Sequence, residues 1–94
     1  MATAVTDGPD TPVGYQQITS LSSPTALTVP AYATKAMIVA ETQAVRYSDG
    51  NTTPTSSAGM PLAVGQPLWY TGNLGALRFI EQTASAKLNV LYYS

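Results

Sequence analysis

The chain has 94 residues, enough for one domain with a single two-layer core and little left for a second lobe. Charged residues make up 10% of it and the net charge is −1, so the basic footprint that nucleic acid or an anionic membrane surface requires is excluded. It has no histidine and no cysteine, which removes the commonest general base, the commonest metal ligands and any disulfide framework.

Serine and threonine together number 21, so the polar surface is mostly hydroxyl and backbone. Such a surface dehydrates more cheaply than one of Lys and Glu and suits packing against other proteins. The N-terminus has neither a basic segment nor an apolar one of the signal-peptide kind. No apolar run approaches the roughly 18 residues that span a bilayer. The expectation is a chain made and kept in a cytoplasm, or built into a particle assembled there.

In chain order, residues 1–12 hold two prolines and a glycine, with Val5 as the one large apolar residue besides Met1. They read as an extended arm that anchors to a partner. Residues 13–94 read as one β-sandwich domain. Val13, Tyr15, Gln17 and Thr19 alternate with their neighbours and predict a first strand to about Leu21, broken by Ser23-Pro24. Thr25 to Val29 predicts a second strand, stopped by Pro30.

Lys35 to Glu41 is the most apolar stretch and predicts a buried strand, since its β-branched members and flanking turns disfavour a helix. Gln43 to Ser48 predicts another strand. The polar stretch 49–59 is expected to link strands across the sandwich. Met60-Pro61-Leu62 leads into Val64-Gly65. Strands are then predicted over Gln66 to Thr71, Gly75 to Gln82 and Lys87 to Tyr93, the last with Leu88, Val90 and Tyr92 on one face and Asn89 on the other. No segment has helical periodicity. About seven or eight short antiparallel strands with regular turn signals give an all-β fold, a small β-sandwich or jelly roll.

Catalytic chemistry finds little support. Glu41, Asp49 and Glu81 are the acids of the folded part, and Glu41 and Glu81 sit at strand ends, where solvated acids are usual. Asp49-Gly50-Asn51 starts like a calcium loop but continues Thr52-Thr53-Pro54-Thr55, without the alternate acids such a loop needs. The simpler reading is a turn in which Gly50 takes positive φ. Asn51-Thr52-Thr53 matches a glycosylation sequon by chance, and the serines have no activating base. Gly72-Asn73-Leu74-Gly75 lacks the helix of a phosphate loop. No enzyme activity, metal or cofactor is expected.

The aromatic pairs Trp69-Tyr70 and Tyr92-Tyr93 lie within predicted strands, so one ring of each pair faces the core and the other faces solvent or a partner. Exposed rings anchor protein interfaces or stack sugars. The scarcity of charge around them favours the interface.

One ordered series of motifs runs through residues 25–94. It comprises Leu27 to Pro30 (L-x-V-P), Ala36 to Glu41, Val45 to Thr55 (V-R-Y-x-D-G ahead of P-T), Gly59 to Gly65, Leu77 to Ile80 and Leu88 to Tyr93 (L-N-V-x-Y-Y). In order and spacing this resembles a family of small tailed-bacteriophage virion structural proteins. The resemblance implies a non-enzymatic capsid decoration or cement protein on the virion surface. Its partners would be the major capsid protein and copies of itself. The resemblance also implies that Arg46 bridges to an acid across the sheet or on a neighbouring subunit. Separately, a sandwich this small has edge strands that few charges blunt, which favours a homo-oligomer, with a trimer preferred. Asp49-Gly50 would set the turn, and the loop from Asn51 to Ser57 would reach outward. Val5, Arg46, Asp49, Asn51, Trp69 and Tyr93 are therefore the candidate interface residues. Two alternatives stand beside this reading: a component of the head–tail junction or tail, and a carbohydrate-binding module that uses the exposed rings against host glycans.

Overall fold

The computed structural model of the protein describes residues 11–50 and 52–94. Eight strands form two antiparallel four-stranded sheets. In chain order they are β1 (Pro12–Ile18), β2 (Thr25–Ala26), β3 (Lys35–Glu41), β4 (Val45–Ser48), β5 (Met60–Leu62), β6 (Leu68–Thr71), β7 (Arg78–Glu81) and β8 (Lys87–Tyr93), with one 3-10 turn at Leu74–Ala76. The first sheet has the order β1-β8-β3-β6 and the second β2-β7-β4-β5.

These orders nest. β1 pairs with β8, β2 with β7, β3 with β6 and β4 with β5. The chain is thus one long hairpin rolled into a sandwich, and the pairings β8·β3 and β7·β4 close each sheet across the roll. This is jelly-roll topology. Consecutive strands lie in opposite sheets at every connection but one: β4 and β5 lie side by side in the second sheet. Segment 49–59 therefore does not cross the sandwich as the sequence reading expects. It closes the tip of the rolled hairpin.

The core follows from strand alternation. Ala36, Ile38 and Ala40 of β3 and Leu88, Val90 and Tyr92 of β8 point inward from the first sheet. Val45, Leu62 and Phe79 meet them from the second, and Leu74 and Leu77 fill the end near the 3-10 turn. Among the described residues no polar or charged residue is fully buried apart from the Tyr92 phenol in this set.

Four sequence expectations need correction. β3 is buried on one face only; Met37 and Val39 are half-exposed on the other. The second strand shortens to Thr25–Ala26 because the Thr28 N–H leaves the ladder and donates to Gln16 Oε1 at 3.0 Å. In β1, Tyr15 and Gln17 face out while Gln16 and Ile18 turn inward. Gln16 is held there by the Tyr92 hydroxyl, which donates to its Oε1 at 2.7 Å. Finally, Thr11 and Pro12 belong to the sheet edge rather than the arm: Thr11 exchanges backbone hydrogen bonds with Ser94, and Pro12 lies opposite Tyr93. Residues 1–10, including Val5, lie outside the described residues, as does Asn51.

Candidate functional site

The outer face of the first sheet carries the largest group of exposed apolar side chains. In the registered ladder Tyr15 lies opposite Leu91, Leu91 opposite Met37, and Met37 opposite Trp69. One residue from each strand thus forms a single row across the whole sheet, about 14 Å from end to end at a strand spacing near 4.8 Å. Tyr15 is 60% exposed, Trp69 54% and Leu91 37%. The Tyr93 ring joins the row from the side, its centroid 5.9 Å from that of Trp69.

The polar groups beside the row are engaged with one another. Asn89 Oδ1 accepts from the Tyr15 hydroxyl at 2.8 Å and from Gln17 Nε2 at 3.0 Å. Asn89 Nδ2 donates to Glu41 Oε1 at 2.8 Å. Three of the four hydrogen bonds that this amide can make are therefore used inside the sheet. The middle of the face therefore loses its water with little unsatisfied polarity left behind, while the charges of Lys35, Glu41 and Lys87 stand at its two ends.

The sequence-predicted residues divide into two places. Trp69 and Tyr93 come together on this face, and the inward partner in each pair, Tyr70 and Tyr92, packs on or in the core as alternation requires. Arg46 and Asp49 lie on or just past β4, in the other sheet. Arg46 makes no ion pair among the described residues. Its Nη1 donates to Gly59 O at 2.9 Å, and with the Gln82 amide turned to present its oxygen, Nε and Nη2 lie 2.9 and 3.2 Å from it. The guanidinium thus clamps the root of the 49–59 loop.

Asp49 follows the last residue of β4, and Gly50 takes φ 67° as a turn glycine should. The Asp49 carboxylate accepts from the Tyr70 hydroxyl at 2.9 Å. That hydrogen bond, followed by desolvation and the carboxylate charge, raises the Tyr70 phenol above its ordinary range. The loop itself is not a free tip. Pro54 is buried, and Thr55 and Ala58 exchange backbone hydrogen bonds at 2.8 and 3.2 Å. Gly59 has φ 130°, and a Cβ there would lie 3.1 Å from Pro54 Cβ and 3.2 Å from Tyr47 O, so the close approach requires glycine.

Sequence reasoning missed Tyr15, Met37 and Leu91. The signal for Leu91 was present, since it alternates with Val90 and Tyr92. Met37 was hidden within an unbroken apolar run, and Tyr15 in a β1 alternation that the Gln16 contacts invert.

Among the described residues no group of three or more acidic, His or Cys side chains converges on a point that would hold a metal ion. No helix among them is long and apolar enough to cross a membrane. No known protein family, curated protein or solved structure matches this chain.

Proposed function

We propose that this chain is a non-enzymatic structural protein of a virion, a capsid decoration protein that docks on assembled major capsid subunits through the outer face of its first sheet. The observation that carries the reading is the row Tyr15–Leu91–Met37–Trp69 on the outer face of all four strands, exposed at Tyr15, Leu91 and Trp69 and half-exposed at Met37, in a jelly roll with few charges. An aliphatic centre, Leu91 and Met37, flanked by the large aromatic side chains Tyr15 and Trp69, is the composition that the buried core of a protein interface contains. The resemblance of the motif series to phage virion proteins supports the same role, and the jelly roll is an architecture used in viral capsids, an analogy of fold alone.

The action would be mass action: a protein that binds the assembled shell and not its free subunits shifts assembly toward the shell. Self-association as a trimer accompanies this reading. Among the described residues β1, seven residues long, pairs on one side only, and an open edge of that length is normally covered. Copy number decides the location. Quantitative densitometry of purified particles should give on the order of hundreds of copies per virion, following shell symmetry. About a dozen copies would move the protein to the neck or tail, and its absence from particles would end the reading.

The Trp69–Tyr93 ring pair also suits a host glycan, the second reading. Sugar hydroxyls, however, need several donors and acceptors beside the rings; the residue opposite Tyr93 is Lys35, and the amide and carboxylate groups of Asn89, Gln17 and Glu41 lie toward Tyr15 and the far end of the sheet, engaged with one another. Binding across a glycan array that disappears with Trp69→Ala would favour the sugar; silence across the array favours the protein partner.

A further inference from the structure

An open cavity of about 410 Å³ lies between β6, an edge strand of the first sheet, and the β4–β5 hairpin of the second. It is separate from the apolar row, since Tyr70 faces it while its neighbour Trp69 faces the opposite side of β6. The Tyr47 and Tyr70 rings and the Met60 side chain supply apolar walls, and Asp49, Ser48 and Thr52 supply the polar part. Tyr47 is held in place by the Phe79 ring beneath it, at a centroid distance of 5.7 Å.

Among the described residues the charge in this cavity has no counterion. Asp49 accepts one hydrogen bond, from Tyr70, and has no ion-pair partner among the described residues. The two arginines of the second sheet are committed elsewhere: Arg46 Nη1 to Gly59 O, and Arg78 Nη1 to Gly75 O and Leu77 O. Ser48 spends its proton on Thr52 O at 2.5 Å. The Tyr70 hydroxyl spends its proton on Asp49. What remains toward the cavity is the Asp49 carboxylate, the aromatic π faces, and the Tyr47 and Thr52 hydroxyls, which donate no hydrogen bond among the described residues. A neutral polyol could use the hydroxyls but would leave the carboxylate charge uncompensated. A flat or compact cation on an alkyl stem meets all of its own: charge-assisted hydrogen bonds to the carboxylate, the ring faces for the cation, and Met60 for the stem.

We propose that this cavity is a socket for a basic side chain, an arginine or lysine presented by a partner protein. Asp49 would be the charge partner, and Tyr47 and Tyr70 the walls. The inference stands apart from the capsid reading: it names a second contact and does not depend on which assembly supplies the side chain. Asp49 and Met60 are exposed at the mouth of the cavity, so it is the partner's own surface that would exclude water there; arginine is a common anchor of such interfaces.

The test is a titration of the full chain, followed by NMR and calorimetry, with the tripeptide Gly-Arg-Gly, its neutral isostere Gly-citrulline-Gly, guanidinium ion and methyl glucoside. Gly-Arg-Gly should perturb the Tyr47, Asp49 and Tyr70 resonances and bind about two- to fivefold more tightly than the citrulline peptide, as expected for one charge contact to an exposed carboxylate. Added salt should weaken it. Bound peptide should also lower the Tyr70 pKa back toward its ordinary value, because the cation offsets the Asp49 charge. Asp49→Asn should abolish the preference for arginine over citrulline while the melting temperature holds. Equal binding of the two peptides, or no binding of either, overturns the proposal. So does retention of the preference in Asp49→Asn. Guanidinium ion binding as tightly as the peptide would overturn the side-chain assignment, and tighter binding of methyl glucoside would overturn the cation itself.

Discussion

Trp69 and Tyr93 sit on strands that do not pair, yet their rings meet at 5.9 Å over the strand between them. Trp69 stands opposite Met37 and Tyr93 opposite Lys35, so the two rings lean together across β3 and roof its outer face. Their contact is tilted by 32° rather than a flat sandwich, a geometry that aromatic quadrupoles favour. Replacing both rings with leucine in a double-mutant cycle should give a coupling of about 0.5–1.5 kcal/mol. Urea denaturation of the four proteins measures it, and a coupling near zero would mean that the rings are neighbours without mutual stabilisation.

Phe79 joins the two halves of the core: it is fully buried, pairs with Thr25 and Tyr47 in the ladder, and packs its ring on that of Tyr47. Phe79→Ala should cost about 3–5 kcal/mol through lost transfer energy and a cavity, much of the stability of a domain this size. Phe79→Leu should cost markedly less. Thermal or chemical denaturation decides, and equal costs for the two would mean that the site collapses freely.

The sheets themselves were legible because period-two alternation is a property of the strand: β3 and β8 stand at the predicted bounds, and each aromatic pair splits between faces as alternation requires. The roll was less legible. Nothing local says that β4 and β5 share a sheet, because that pairing follows from the closure of the whole hairpin. The Gln16 inversion in β1 was hidden for a related reason, its partners Tyr92 and Thr28 being remote in sequence. The cavity was half visible. Asp49 stood out as a loop acid, but its partner Tyr70 is twenty-one residues on and reaches it only through the stacking of two sheets.

Between β3 and β4 the chain reverses at Thr42, whose φ is 76°, and the Gln43 N–H donates to Glu41 O at 2.9 Å across it. This is a three-residue turn with positive φ at a β-branched residue, a strained combination. Thr42→Gly should relieve about 1 kcal/mol of that strain, offset in part by the greater freedom of glycine in the unfolded chain. The melting temperature should rise by a few degrees. A fall would show that the threonine side chain contributes more than its backbone strain costs.

Burial pushes the Tyr92 phenol up from 10.0 to about 12. The fold therefore favours the protonated ring, and the stability this confers is fully present below pH 10 and is lost as pH rises through 10 toward 12. The raised Tyr70 phenol acts in the same direction. Tyr92→Phe should be less stable near neutral pH by about 1 kcal/mol, for the lost hydrogen bond to Gln16. Its stability should also decline less steeply over the alkaline window. Denaturation as a function of pH reads both effects; parallel curves for the two proteins would exclude Tyr92 as a source of alkaline unfolding.

The most direct measurement is the affinity of Trp69→Ala and Leu91→Lys for capsid shells stripped of this protein, set beside the unaltered chain and each variant's melting curve. Both side chains are partly exposed, so each variant should keep its fold, Trp69→Ala losing about 1–2 kcal/mol with its Tyr93 contact and Leu91→Lys about 1 kcal/mol. Shell affinity should nevertheless fall at least about tenfold for Trp69→Ala, as truncation of an interface anchor requires, and further for Leu91→Lys, which buries a charge at the centre of the row. Unchanged shell binding by both folded variants would contradict the assignment of this face as the docking surface.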